Sequence, residues 1–214
     1  MEGTPAVGWA LAVAVLAAGW FGLRAWGQIR PAPMPARWER LFLNNPVRRR
    51  WFGPRQLLAA FGPLTGLSVA EIGVGTGVIL EALAQAVGPS GKVWGVDVQP
   101  AAVAETGRRL TARGLSASLA VADATQLPWA DRSMDRVAMV AVFGEIPPAQ
   151  RAQALAEVRR VLAPSGRLGI TEFWPDPHYQ PPSRLLPQLR SLGWRILAVR
   201  QSPLIYTVVA EPMD

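Results

Sequence analysis

The sequence predicts a doubly wound, Rossmann-like α/β fold with a seven-stranded, mainly parallel sheet, preceded by one hydrophobic helix. From residue 56 onward, strand-like and helix-like segments alternate, which is typical of a parallel sheet with helices on both faces. The first strand-like segment ends in a glycine-rich stretch, EIGVGTG. The last two strand-like segments are separated by three residues. They must pair antiparallel, because a parallel crossover needs about a dozen residues or more.

Seven segments have the apolar, β-branched character of buried strands. In chain order they are LSVAEIG (67–73), KVWGVDV (92–98), SASLAVA (116–122), DRVAMVAVF (135–143), GRLGITEF (166–173), WRILAVR (194–200) and LIYTVVA (204–210).

The intervening segments show the apolar spacing and the end signals of helices. They are RQLLAAFG (55–62), GVILEALAQAVG (77–88), PAAVAETGRRLTARG (100–114), PAQRAQALAEVRRVLAPSG (148–166) and SRLLPQLRSLG (183–193). Pro100 stands near the first turn of its helix and Gly114 after the end, as is usual for these residues. Pro187 is expected to bend or interrupt the last helix.

The composition excludes several kinds of site. The chain has 214 residues, no cysteine and a single histidine, His178. Disulfides, thiolate metal sites, a cysteine nucleophile and a multi-histidine zinc site are therefore excluded, and no metal is expected. The net charge of +7 comes from residues 24–55, which contain eight arginines and one acid, Glu39. In the rest of the chain the numbers of basic and acidic side chains are equal. Because the excess is confined to one segment, DNA is not the expected partner.

The stretch Pro5–Leu23 has no charged side chain and the length of a bilayer-spanning helix. Trp9, Trp20 and Trp26 lie toward its ends, and Arg24 is placed to snorkel to the lipid surface. Residues 1–29 are therefore predicted to be a transmembrane anchor. A cleaved signal peptide and a buried core helix are the alternatives, and the lack of a basic region before the apolar stretch argues against the signal peptide.

Residues 30–55 are predicted to be a basic, proline-containing linker, and residues 56–214 the folded domain. The arginines after the helix predict a single-pass membrane protein whose domain faces the cytoplasm. Arg48, Arg49 and Arg50, beside Trp51 and Phe52, suit the bilayer as a partner. A solvated charge run is the alternative, and the oligomeric state is left open.

The glycine stretch indicates a nucleotide-type ligand. In doubly wound sheets, ligands bind at the carboxyl ends of the strands, and glycine lets a ligand approach the backbone. Asp97 ends the second strand twenty residues after Gly77, where an acid can accept both ribose hydroxyls. NAD-binding proteins use a related loop, but the spacing here is G-x-G-x-G, and an acid, Glu71, precedes the first glycine.

At this point the chain from about residue 53 to 214 resembles a class I S-adenosylmethionine-dependent methyltransferase, of the branch that includes quinone and phospholipid methyltransferases. EIGVGTG matches the family's first motif, GVDVQP its ribose-binding strand, and VADATQLPW the segment that contacts adenine. The stretch from GEIPPAQ to GITEF matches the family from the fourth to the fifth strand. The resemblance implies S-adenosyl-L-methionine as the cofactor.

The resemblance also implies a role for each matching residue in holding that cofactor. Glu71 orders the loop and the cofactor's amino group, and Asp97 holds the ribose hydroxyls. The remaining implied contacts are Gly73, Gly75 and Gly77 beside the methionine and ribose parts, Asp123 and Ala124 at the adenine edge, and Val98 and Leu127 on the adenine faces. For Glu71, capping of loop amides is the alternative role.

A methyl acceptor that is a carbon acid, phenol or ammonium needs a base, and Glu145, His178 and Tyr179 are the candidate catalytic residues. A solvated loop histidine and a glutamate in the cleft wall are the alternatives. The expected reaction is methyl transfer to a small, apolar, membrane-associated acceptor such as a lipid or quinone-like ring. A membrane-tethered methyltransferase of protein or RNA, and a non-catalytic cofactor-binding protein, are the other candidates.

Overall fold

The computed structural model describes residues 5–29, 54–174 and 176–213. Seven strands lie in this part of the chain: β1 (Ser68–Ile72), β2 (Lys92–Asp97), β3 (Ser118–Val121), β4 (Met134–Val140), β5 (Leu162–Phe173), β6 (Trp194–Ser202) and β7 (Ile205–Pro212). The helices described are α1 (Pro5–Ile29), α2 (Arg55–Phe61), α3 (Val78–Val87), α4 (Pro100–Thr111), α5 (Arg151–Val161) and α6 (Pro182–Ser191). A 3-10 turn, Pro148–Gln150, precedes α5.

All seven strands form one sheet in the order β3-β2-β1-β4-β5-β7-β6. The first five pair in parallel, and β7 runs antiparallel to both β5 and β6. The predicted seven-stranded Rossmann-like sheet and the predicted C-terminal hairpin are therefore confirmed. The strand order reverses between β1 and β4, so the ligand crevice of a doubly wound sheet lies at the carboxyl ends of these two strands.

Two apolar clusters cover the two faces of the sheet. On one face, α5 and α6 bury Leu155, Val158 and Leu189 against the strands. On the other face, α2, α3 and α4 contribute residues such as Phe61 and Leu83. Alternate residues of each strand enter opposite clusters, as the pleat of a sheet requires. The sheet is thus buried on both faces, and its carboxyl edge is the place where polar groups converge.

The helix α6 continues through Pro187, so an interruption at this residue, one of the two predicted outcomes, does not occur. Proline removes one hydrogen bond from the helix. Pro187 lies on the exposed side, however, and Leu185 and Leu189 on the other side are fully buried. Burying two leucines stabilises the helix by about 3–6 kcal/mol, which exceeds the cost of one missing hydrogen bond.

The helix α1 forms where an apolar helix is predicted, but its predicted role is wrong. Among the residues that the structure describes, none of the helices combines the length and the apolar character needed to cross a membrane. This finding overturns the predicted transmembrane anchor, and with it the predicted membrane localisation with a cytoplasmic domain. Arg24, expected to snorkel, instead donates from Nη1 to the carbonyl oxygen of Trp174 at 2.9 Å. The predicted linker lies outside the described residues, apart from Pro54 and Arg55.

A pair of glycine substitutions tests the packing of α2 on the sheet. A Cβ added to Gly169 in β5 would lie 2.6 Å from the ring of Phe61 and 2.8 Å from Leu57. We expect Gly169→Ala to lower the free energy of unfolding by about 1–3 kcal/mol, because the core would be overpacked.

Gly107→Ala is the matched control, because its added Cβ would meet only Leu119 at 3.6 Å. Within α4 this change should raise stability by about 0.5–1 kcal/mol. Urea unfolding followed by circular dichroism measures both variants. Equal effects of the two substitutions would contradict the packing described here.

Candidate active site

The glycine loop joins β1 to α3 and has an unusual backbone. Gly73, Gly75 and Gly77 all have positive φ angles, of 76°, 49° and 75°. A Cβ at Gly73 would lie 2.3 Å from a methyl carbon of Val142, and a Cβ at Gly77 would lie 2.9 Å from Thr106. Two of the three glycines are therefore required by the protein's own packing, in addition to any ligand.

Two side chains hold the middle of this loop. The buried hydroxyl of Thr106, in α4, donates to the carbonyl oxygen of Gly75 at 3.0 Å. Asp97 Oδ2 accepts from the amide of Gly75 at 3.0 Å, and Oδ1 accepts from the amide of Gln99 at 2.9 Å. A carboxylate can accept about four hydrogen bonds, so Asp97 retains capacity for the hydroxyls of a ribose. The loop-holding roles of Thr106 and Asp97 are absent from the sequence prediction.

Glu71 is a buried carboxyl group at the end of β1. Burial raises the pKa of Glu71 well above its usual range, the nearby charge of Asp97 raises it further, and the amide of Leu80 lowers it. Its Oε2 atom is buried and has no hydrogen-bond partner among the described residues. A buried carboxylate without a partner is costly, and a cationic donor relieves that cost. An ammonium group beside Glu71 therefore fits this site.

The residues predicted to contact adenine follow β2 and β3. Val98 is 43% exposed at the edge, whereas Ala124 and Leu127 are buried. Asp123 Oδ1 accepts from the amide and the hydroxyl of Thr125, at 2.7 and 2.6 Å. Asp123 is exposed, so its carboxylate is open to a ligand at the sheet edge.

The predicted catalytic residues Glu145 and His178 lie close together. His178 Nδ1 is 3.9 Å from Glu145 Oε1 and 3.5 Å from Asp176 Oδ1, and this nitrogen is buried without a hydrogen-bond partner among the described residues. The main-chain amide of His178 donates to Asp176 Oδ1 at 2.7 Å. Asp176 was not predicted. Its position within the proline-rich stretch after β5 was the available signal.

Tyr179, the third candidate, has its ring in contact with Tyr206 and Arg24. Its ring packs edge-on to Tyr206, with centroids 5.9 Å apart, and the guanidinium carbon of Arg24 lies 5.1 Å from its centroid. Burial raises the pKa of the Tyr179 phenol, Glu172 raises it further, and Arg24 lowers it. The structure therefore places Tyr179 near both the buried acid Glu172 and the guanidinium of Arg24.

A buried arginine joins the segments that carry Glu145 and His178. Arg151 Nη2 donates to the carbonyl oxygen of Gly144 at 3.1 Å, and Nε donates to that of Ile146 at 2.9 Å. Its Nη1 donates to the Gln180 side chain at 3.3 Å. A Cβ at Gly144 would lie 1.9 Å from the carbonyl oxygen of His178, so the two segments are in direct contact.

Glu172, near the end of β5, is a second buried acid that the sequence analysis missed. Its Oε2 accepts from the amide of Gln180 at 3.2 Å, and the amide of Gly144 also donates to its carboxylate. Burial is the main reason that the pKa of Glu172 rises to about 8, and the charge of Asp176 adds to the effect. An acid within the strand-like stretch GITEF was the signal. Strongly perturbed carboxyl groups are concentrated at functional sites.

The polar groups at this edge do not form a metal site. In the part of the chain that the structure describes, no three His, Cys, Asp or Glu side chains are grouped so that they could hold a metal ion.

The methyltransferase domain family matches residues 69–166, which run from β1 into β5. The ubiquinone/menaquinone biosynthesis C-methyltransferase UbiE of Bordetella avium is 43% identical over 108 residues, which are 50% of this chain and 41% of that protein. The enzyme of the same name from Cupriavidus taiwanensis is 34% identical over 116 residues, 54% of this chain and 47% of that protein. The alignments thus span less than half the length of these curated relatives.

Among solved structures, a SAM-dependent methyltransferase from Aquifex aeolicus superposes with a TM-score of 0.75 at 25% sequence identity. The match covers 83% of this chain and 98% of that one. The likeness therefore extends beyond the stretch matched by the curated relatives, to most of the described domain.

The raised pKa of Glu172 predicts a specific dependence of stability on pH. The unfolded chain loses the Glu172 proton near its ordinary pKa of about 4.3, whereas the folded protein keeps it until about pH 8. The stabilising contribution is therefore complete below about pH 4 and is lost as the pH rises toward 8. Glu172→Gln keeps the shape and removes the titration, so the free energy of unfolding should fall less steeply between about pH 5.5 and pH 8.

Urea unfolding at several pH values measures this slope. Glu71, whose pKa is also raised, keeps part of the slope in the variant. Glu105→Gln is the control, because Glu105 pairs with Arg108 at the surface. Parallel pH profiles for the wild type and Glu172→Gln would refute this explanation.

Proposed function

We propose that this chain is a class I S-adenosylmethionine-dependent methyltransferase, which takes S-adenosylmethionine as its cofactor and methylates a ring carbon of a small, apolar, quinone-like acceptor. The acceptor class is supported by the curated relatives, which are named as C-methyltransferases of ubiquinone and menaquinone biosynthesis. The observation that carries the proposal is the buried, unpartnered oxygen of Glu71 beside Asp97, next to an acid–histidine group at the same sheet edge.

The residues at the ends of β1, β2 and β3 are proposed to hold the cofactor. Glu71 receives the amino group, and Asp97 receives the ribose hydroxyls with the accepting capacity that the loop amides leave. Asp123, Ala124 and Leu127 lie around the adenine, with Val98 at the exposed side. When bound, the cofactor supplies an electrophilic methyl group on a sulfonium. The protein's main contribution is to align the acceptor, which can be worth about 7–11 kcal/mol.

His178 is proposed to accept the proton that a phenolic acceptor loses when its ring becomes nucleophilic. After the ring carbon has taken the methyl group from the sulfonium, that carbon loses its own proton to solvent and the ring becomes aromatic again. A phenolate makes the neighbouring ring carbon a stronger nucleophile, and a base near neutral pH suits this step. Asp176 and Glu145, 3.5 and 3.9 Å from Nδ1, favour a proton on that nitrogen and leave Nε2 as the basic atom. Glu145 acts through His178 in this arrangement, as a positioning residue, and Tyr179 contributes to the wall.

The first test concerns the cofactor and Glu71. A positively charged ligand lowers the pKa of a neighbouring carboxyl, so binding of S-adenosylmethionine should release a proton from Glu71. Binding should therefore tighten as the pH rises, until Glu71 is ionised in the free protein. Glu71→Gln should weaken binding by about 1–3 kcal/mol and abolish this pH dependence.

Calorimetry in two buffers of different ionisation enthalpy measures both the affinity and the proton release. Glu105→Gln, a surface carboxyl variant, should bind as the wild type does. Unchanged binding by Glu71→Gln would rule out the proposed contact between Glu71 and the cofactor.

The second test concerns the acceptor. Full-length protein with methyl-labelled S-adenosylmethionine is supplied, in separate reactions, with a quinol that lacks one ring methyl group, phospholipid vesicles and RNA. We expect label on the quinol ring, detected by mass spectrometry. His178→Asn should lower kcat by about 10²–10⁴-fold at unchanged cofactor affinity, because the base is lost. Label on phospholipid or RNA alone would overturn the acceptor, and full activity of His178→Asn would overturn its role.

A further inference from the structure

The last turns of α1 present one face to the segment that follows β5. Trp20, Arg24 and Gly27 are spaced by four and three residues, so they lie on the same side of the helix. Each contacts a part of the segment that runs from Trp174 to Tyr179. This segment carries two of the predicted catalytic residues.

Trp20 and Arg24 bind the first part of the segment. The rings of Trp20 and Trp174 lie with their centroids 4.4 Å apart. Arg24 Nη1 donates to the carbonyl oxygens of Trp174 at 2.9 Å and Asp176 at 3.3 Å. Its guanidinium also lies over the rings of Trp174 and Tyr179. One cation thus fixes two main-chain oxygens and two rings, an arrangement suited to the planar fork of arginine.

Gly27 contacts the second part of the segment. A Cβ at this position would lie 3.1 Å from both Cδ2 and Nε2 of His178 and 3.2 Å from Cβ of Pro177. The buried backbone of Gly27 therefore lies against the edge of the imidazole that carries the basic nitrogen. The opposite nitrogen, Nδ1, faces Asp176 and Glu145.

We propose that Arg24 is a positioning residue of the acceptor site, and that Gly27 leaves the space in which the imidazole of His178 takes its reactive orientation. The helix α1 is then one wall of that site. The inference rests on the proposed function in one respect, the role of His178 as a base. The contacts of Arg24 and Gly27 do not depend on any acceptor. The segment also contacts Gly144, where an added Cβ would collide with the carbonyl oxygen of His178.

The single histidine of the chain gives a direct readout. In full-length protein labelled with ¹³C and ¹⁵N on histidine, the only side-chain histidine signals come from residue 178. Gly27→Ala should shift the ring signals, because the imidazole must move by a few tenths of an ångström. Gly19→Ala is the matched control in the same helix, since an added Cβ there meets no atom within 4 Å. Both changes favour the helix, so neither should unfold α1.

Arg24 is tested by hydrogen exchange of the main-chain amides in residues 174–180. Arg24→Ala should accelerate their exchange about tenfold, because two carbonyl contacts and the ring contacts are lost. Arg24→Lys, which keeps a cationic donor, should restore part of the protection. Val15→Ala, at an exposed position of α1, is the control. In the acceptor assay, Arg24→Ala should lower kcat more than it raises KM for the cofactor.

The outcomes separate this inference from the proposed function. The proposal that α1 forms a wall of the site is refuted by either of two results. One is that the His178 ring signals of Gly27→Ala are the same as those of Gly19→Ala, and the other is that Arg24→Ala leaves amide exchange of residues 174–180 unchanged. A wild-type protein that fails to bind S-adenosylmethionine would instead refute the proposed function, and the shifted signals and faster exchange would still establish the contacts.

Discussion

The short segment after β4 is the constraint on which both halves of the site depend. At the glycine loop, Val142 fills the space that Gly73 leaves, so a side chain at position 73 would collide with it. At the segment after β5, Gly144 lies against the main chain of His178. Arg151 holds the segment by donating hydrogen bonds to the carbonyl oxygens of Gly144 and Ile146. Because the glycine loop and the histidine segment touch the same few residues, their relative position is fixed by close packing, and packed interiors resist displacement.

Buried acidic groups lie at both the glycine loop and the histidine segment. Glu71 and Asp97 are two acids at the ends of neighbouring strands, and their mutual repulsion favours a ligand that brings positive charge. Glu172 has Arg151 nearby, which lowers its pKa, yet burial outweighs that charge and keeps its pKa near 8. A neutral Glu172 still accepts hydrogen bonds from the main-chain amides of Gln180 and Gly144. It therefore ties the histidine segment to the segment after β4 without placing another full negative charge beside Asp176.

The sequence was sufficient where the physics is local or periodic. Apolar segments predicted all seven strands, and the three-residue connection before Leu204 required the antiparallel hairpin. The start of β5 was predicted wrongly, because residues 162–165 were assigned to the preceding helix and lie in the strand. It was insufficient where a residue's role depends on what lies against it. Gly73 and Gly77 read as room for a ligand, but Val142 and Thr106 arrive there from distant parts of the chain. The uncharged stretch of residues 5–23 made α1 resemble an anchor, whereas the contacts of Arg24 with the folded domain lie 150 residues away in sequence and could not be predicted. Glu172 was missed because a strand residue's burial depends on the loops that cover it.

The orientation of His178 is set by contacts from three parts of the chain: α1, the segment after β4 and the segment after β5. Gly27 of α1 limits the Nε2 edge of the ring, Asp176 and Glu145 face Nδ1, and Gly144 supports the carbonyl oxygen. The two ring nitrogens thus have unequal surroundings, with two acids near Nδ1 and the backbone of Gly27 near Nε2. Unequal surroundings of this kind favour one tautomer. Misplacement of a reacting group by about 1 Å can cost about a hundredfold in rate. The close contacts around His178 therefore come from separate elements, so the proposed role of this residue depends on how those elements pack.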